Sequence, residues 1–286
     1  MPLLLDPEVN NAAFTQPRSD GSFPPDFEAY LNELGDSRPS VVLAFAPKAA
    51  GTFLRSAAID VVGGQLVRTV HAYGGRDASF YLPTFLMYYA GNVPAKPLVT
   101  HVHMQALPAN RHFISALRLR PVIMLRAVSD MLASYADMLE PDPLLPDNWL
   151  NIRLPENYPA LTPEAKGDFL VDMMGPWYAS YFATWIDYAA QAPERVLMLE
   201  YDRFCADPAM VLEQVLDHSR LPRSRQQCQD ALDGVWQDRG NYRYNKGVSG
   251  RGGARFTPAQ IARLGRQVDF YPALAPIRDT LIPPPL

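Results

Sequence analysis

"AFAPKAAGTFL", from Ala44 to Leu54, is the stretch on which the fold turns. It continues a β-branched apolar run, "SVVLAFA" (Ser40–Ala46), of the kind expected of a strand buried on both faces. The chain then passes through Pro47-Lys48 and two alanines to Gly51-Thr52. From about Thr52 to Val62 the pattern predicts a helix, stopped by Gly63-Gly64. Strand, short loop and helix in that order gather backbone N–H groups at the positive end of a helix dipole, a natural place for an anion. Lys48 adds a formal charge, Gly51 permits close backbone approach, and Thr52 offers a hydroxyl beside its N–H. An ATP-type P-loop would end Gly-Lys-Ser/Thr; here the lysine comes four residues before Thr52. No Asp at the end of a neighbouring strand offers to hold magnesium. The loop reads as a cradle for an anion without a metal.

Working outward, "PLVTHV" (Pro97–Val102), "RPVIML" (Arg120–Leu125) and "RVLMLEY" (Arg195–Tyr201) read as further strands. Helices are predicted over about Val128–Leu139 and Pro163–Ala190. Others open at Asp207-Pro208, with Asp as N-cap and Pro in the first turn, and at the capping box "TPAQ" (Thr257–Gln260). Trp177, Tyr181 and Trp185 recur every four residues, a stripe that belongs to the core. Strands alternating with helices predict one α/β domain over residues 39–286, with a mostly parallel central sheet flanked by helices. Residues 1–38 read as an irregular arm with a short helix near Phe27–Leu34. A proline-rich insert over 140–163 is too long for an ordinary connection and reads as a lid or substrate-binding element.

Bulk properties narrow the function. The chain has 286 residues, 48% of them hydrophobic and 20% charged, and a formal charge of −4, which argues against nucleic-acid binding. The two cysteines, Cys205 and Cys228, indicate neither a disulfide framework nor a metal knuckle and fit a reducing compartment. The opening residues do not read as a signal peptide, and no apolar run is long enough to span a bilayer. The expectation is a cytoplasmic protein.

Five segments, in order along the chain, resemble the sulfotransferases that use 3′-phosphoadenosine 5′-phosphosulfate (PAPS), and in particular their cytosolic and bacterial branch. Their first signature, Pro-Lys-Ser-Gly-Thr-Thr-Trp, is similar to Pro47-Lys48-Ala49-Ala50-Gly51-Thr52-Phe53, with the glycine displaced by one place. "LRAVSDMLASY" supplies Arg126 and, eight residues on, Ser134, with Asp130 between them. "THVHMQALP" resembles a Thr-His-Leu-Pro segment and places His101 on the general base. "EYDRFCADP" places Tyr201 near adenine, and "NKGVSGRGGARFT" resembles a late loop that closes over the 3′-phosphate, with Lys246, Gly247 and Gly250 matching. Asn245 stands where the family's late loop begins with Arg, leaving Arg243 and Arg251 as substitutes, and Val99 stands where a lysine precedes Thr-His.

The resemblance implies a P-loop-like phosphosulfate loop (Lys48, Ala49, Ala50, Gly51, Thr52, Phe53). It implies a 3′-phosphate grip by Arg126 and Ser134, closed by Asn245, Lys246 and Gly247, with Tyr201 and Phe53 flanking adenine. Lys48 and His101 would be catalytic, with His103 as second candidate base. PAPS would be the co-substrate, adenosine 3′,5′-bisphosphate (PAP) the product, and no metal would be needed. The apolar, aromatic insert, which contains Trp149, fits a small or lipid-like hydroxyl or amine acceptor. Two other readings stand beside this one: a P-loop nucleotide kinase or hydrolase, and a domain that binds a phosphorylated nucleotide without turnover. The oligomeric state has no signature in the sequence.

Overall fold

In the computed structural model, residues 25–67, 79–81, 83, 85–86, 96–140, 154–237 and 249–284 are described. The apolar runs form a five-stranded sheet: β1 (Ser40–Leu43), β2 (Gln65–Leu66), β3 (Leu98–His101), β4 (Pro121–Leu125) and β5 (Leu197–Glu200). The order is β2-β3-β1-β4-β5, and every pair is parallel. All residues of β1, β3 and β4 are buried, as continuous apolar runs in a sheet covered on both faces must be. In register, Leu43 lies opposite His101 and Leu125 opposite Glu200, which aligns the carboxyl ends of these strands along one edge.

The helices, in chain order, are α1 (Pro25–Ser37), α2 (Gly51–Val62), α3 (Pro108–Ala116), α4 (Val128–Leu139), α5 (Pro163–Gln191), α6 (Tyr201–Ala206), α7 (Pro208–His218), α8 (Arg225–Gln237), α9 (Arg251–Arg255), α10 (Pro258–Asp269) and α11 (Arg278–Leu281). Helix α2 packs with α7 and α8; α4 packs with α5 and α9, and α5 with α10. The caps follow local chemistry. Thr162, Asp207 and Thr257 accept amide hydrogen bonds at the starts of α5, α7 and α10, with Gln260 completing a capping box. Gly63, with φ of 57°, ends α2.

Three features differ from the expectations. Helix α1 is longer than Phe27–Leu34 and drives Phe27 and Leu31 into the common core. Strand β2 has two residues, too few to leave a periodic signal, and is held by Gln65 and Val67 amides donating to the Pro97 and Val99 carbonyls. Strand β1 stops at Leu43 rather than running to Ala46, because the Tyr181 hydroxyl takes the Ala44 carbonyl that a ladder would use. The aromatic stripe of α5 is core: Tyr181 and Trp185 are fully buried, and Trp177 packs against them. Among the described residues, no helix is long and apolar enough to cross a membrane.

Candidate active site

The chain leaves β1 for two strands on one side of it, then crosses back to β4 on the other. The carboxyl ends of β1 and β4 therefore flank a topological switch point, where open parallel sheets bind ligands. The candidate residues Lys48, Gly51, His101, Arg126 and Tyr201 all follow or end strands at this edge.

The loop after β1 is built from main chain under local strain. Lys48 and Ala50 hold left-handed φ values of 67° and 63°. An L-residue in this region costs about 1–2 kcal/mol, a conformation that glycine adopts freely. Gly51 itself begins α2 with an ordinary helical φ; its role is spatial. A Cβ placed on Gly51 would lie 2.1 Å from His101 Nε2 and 2.4 Å from Cε1, so only glycine lets this imidazole approach the helix N-terminus. The displaced glycine of the loop thus has a reason: the crowded position has the glycine, and Ala50 bears the left-handed one.

Helix α5 braces this loop from beneath. Tyr178 donates its hydroxyl to the Pro47 carbonyl at 3.1 Å, Tyr181 donates to Ala44, and Trp185 Nε1 donates to Met104 at 3.0 Å. Burial pushes the Tyr181 phenol well above its ordinary pKa, so it remains a hydroxyl donor. Lys48 extends along α4, its Nζ 3.8 Å from Met138 Sδ.

His101 ends β3, and His103 lies two residues on. Their rings meet nearly at right angles with centroids 4.8 Å apart, as two residues on one strand face can. His103 Nδ1 sits 2.6 Å from the Phe45 carbonyl oxygen. A carbonyl only accepts, so Nδ1 carries the proton and Nε2 is the basic nitrogen of His103. His101 also meets the Phe45 ring edge-on at 6.3 Å. His112 is on α3.

Arg126 follows β4 and is 6% exposed, unusual for a guanidinium. Its Nη1 donates to the Lys48 carbonyl at 2.5 Å, and its plane lies over the Tyr201 ring, Cζ 3.8 Å from the centroid. Ser134 is buried two turns into α4, on the same strand–helix unit. Phe53 packs edge-on against Phe204 at 6.1 Å and Trp236 at 6.2 Å, while Tyr201 meets Phe204 at 6.0 Å. The result is one aromatic cluster with Trp236 on its open side, 44% exposed.

Asp130 has a role that spacing could not reveal. Its two carboxylate oxygens accept the Gly250 and Gly252 amides, each at 2.7 Å, and so fasten the late segment to the start of α4. Gly252 is pressed against Ser129, where a Cβ would lie 2.2 Å from Oγ. Arg251, a candidate for the missing late-loop arginine, is paired with Asp137, and Arg255 with Glu140 at 2.6 Å. Arg243, Asn245, Lys246 and Gly247 lie outside the described residues, as do Trp149, His71 and most of the insert. Among the described residues, no group of three or more His, Cys, Asp or Glu side chains is arranged to hold a metal. The residues missed from sequence (Tyr178, Phe204, Trp236) and the partners of Asp130 act across segments far along the chain, where spacing gives no signal.

No protein-family model and no curated protein matches the chain. Among solved structures it is similar to that of mouse sulfotransferase SULT7A1 complexed with PAP. The TM-score is 0.59 at 13% identity, covering 89% of this chain and 92% of that one. That likeness shows the fold: a parallel α/β domain of the sulfotransferase type. Two structures of retinol dehydratase also align, each at a TM-score of 0.48 and 13% identity. One, with retinol and PAP, covers 88% of this chain and 86% of that one; the other, with androsterone and the inactive cofactor PAP, covers 90% and 88%.

Proposed function

We propose that the chain is a sulfotransferase moving a sulfonate group from PAPS to a hydroxyl or amine of a small or lipid-like acceptor. The observation that carries this reading is the position of Arg126. A buried guanidinium at the switch point touches the Lys48 backbone on one side and an aromatic face on the other. A fixed planar cation beside an anion cradle and an aromatic cluster suits a purine nucleotide with phosphate at two places. The PAP-bound relative of the same fold supports it.

The residues fit such a co-substrate. The loop from Lys48 to Thr52 would hold the 5′ end; Arg126 and Ser134 would hold the 3′-phosphate; Phe53, Phe204, Tyr201 and Trp236 offer the apolar surface for the base. When bound, PAPS supplies the sulfonate and a phosphate leaving group. Lys48 and the start of α2 stabilise negative charge at that phosphate. His101, held against Gly51, accepts the proton of the acceptor hydroxyl as a neutral imidazole. His103, with its tautomer set by Phe45, supports the His101 ring from the side.

The test compares the binding of PAP and of ATP–Mg²⁺ by calorimetry, and sulfonate transfer or slow PAPS hydrolysis by wild type and His101→Ala. PAP should bind in preference to ATP. The variant should keep that affinity while transfer falls by roughly 10²-fold or more, the usual cost of losing a general base. Preference for ATP–Mg²⁺ overturns the proposal, and PAP binding without any sulfonate release by the wild type reduces it to a binding domain.

A further inference from the structure

The opposite edge of the sheet carries a second basic site. Arg38 precedes β1, Arg120 precedes β4, and Arg118 and Arg220 follow the ends of α3 and α7; with Asp36 and Ser219 they line a cleft of about 50 Å³. Among the described residues that line the cleft, Arg118, Arg120 and Arg220 share a single carboxylate, Asp36, in a chain whose formal charge is −4. Strand β4 separates this cleft from Arg126. Its five residues span roughly 16 Å at about 3.3 Å per residue, so the cleft is not part of the candidate active site.

Asp36 does not neutralise the cluster. It pairs with Arg118, which also donates to Asn32 at 2.9 Å, and its other oxygen is 3.9 Å from Arg220. Among the described residues Arg120 has no carboxylate within ion-pair reach. Its guanidinium makes one long hydrogen bond, 3.5 Å, to the His218 carbonyl. Burial first, and then the nearby Arg220 and Arg195, pull its pKa down, with Glu194 pulling weakly the other way. Ser219 is 3% exposed, and its buried hydroxyl has no hydrogen-bond partner among the described residues. Buried hydroxyls are normally paired, and each exception needs a reason. Arg118 and Arg220 also occupy the left-handed positions just past two helix ends, with φ of 49° and 59°. Glycine is the residue that suits such positions, and here both are arginine.

We infer that this cleft binds a tetrahedral oxyanion, phosphate or sulfate, either free or as the terminal monoester of a small metabolite. Arg120 and Arg220 would face it with their guanidinium forks, and the Ser219 hydroxyl would donate to it. One dianion meets the unpaired cation, the orphan hydroxyl and the charge excess together.

The test titrates the full chain with inorganic phosphate, sulfate and glycerol phosphate, against chloride at matched ionic strength, by calorimetry and thermal shift. Each titration is run with and without saturating PAP. The arm without nucleotide reads the cleft from the difference between wild type and cleft variants, so a failure of PAP binding bears on the proposed function alone. With PAP saturating the nucleotide site, one equivalent of oxyanion should bind, and tighter binding of the monoester than of free phosphate identifies the source. Arg120→Gln should weaken it about tenfold or more, and Ser219→Ala about threefold. Asp36→Asn, which removes the competing carboxylate, should tighten it several-fold, a gain that a merely destabilised protein does not show. If Arg120→Gln does not fold, Ser219→Ala and Asp36→Asn decide. Equal stabilisation by chloride and phosphate, or unchanged binding in these two variants, overturns the inference.

Discussion

The junctions after β1 and β4 sit side by side at one edge of the sheet and present groups to the same place by different means. After β1 the work is done by main chain. Two left-handed residues, Lys48 and Ala50, shape the turn, and a glycine admits His101 to the helix start. After β4 it is done by side chains on a regular helix: Arg126 reaches back to the Lys48 carbonyl, and Asp130 holds the late segment by two amides. A main-chain site is intolerant at single positions whose demands are steric. A side-chain site loses binding or closure while its helix stays intact.

The largest expected effect falls on the main-chain junction. Gly51→Ala forces the new methyl into the His101 ring and should cost about 3 kcal/mol in denaturant unfolding, at the upper end for overpacking. Combining it with His101→Ala should recover most of that loss; a double variant no more stable than Gly51→Ala would show that the collision lies elsewhere. Next, Arg126→Ala should leave unfolding cooperative yet weaken PAP by about 30-fold, about 2 kcal/mol, and AMP far less, since a charged hydrogen bond is lost only where the second phosphate is present. Equal weakening of both ligands would remove Arg126 from the 3′-phosphate. Asp130→Asn is isosteric and sets an NH₂ group against a glycine amide. It should cost about 1–2 kcal/mol and speed hydrogen exchange at Gly250 and Gly252 above all other amides. Uniform exchange would mean that the late segment is held by Arg251 and Arg255 instead. The smallest effect has the opposite sign. Ala50→Gly relieves a left-handed alanine and should stabilise by about 0.5–1 kcal/mol; destabilisation would show that the turn does not strain that residue.

Much of this edge was legible in the chain. Buried strands advertise themselves as unbroken apolar runs, and helix starts by Thr or Asp before proline, because both are local preferences. Lys48 could be nominated from strand–loop–helix order alone; Arg126 and His101 could be nominated because their segments resemble sulfotransferase signatures. What spacing could not show is which side chain a residue meets. Asp130 and the amides it holds are more than a hundred residues apart, as are Tyr181 and the Ala44 carbonyl that ends β1 early. Tyr201, expected beside adenine, lies against Arg126 as well, and Arg251, one of two possible substitutes for the late-loop arginine, pairs with Asp137.

By itself, then, the sequence determined the alternation of elements, the parallel sheet and the anion-type loop, because each rests on the propensity and periodicity of neighbouring residues. Only the tertiary structure decided why Gly51 is glycine, what Asp130 fastens and that four arginines share one cleft. Those facts are contacts between distant segments, which exist only once hydrophobic burial has brought the strands into register.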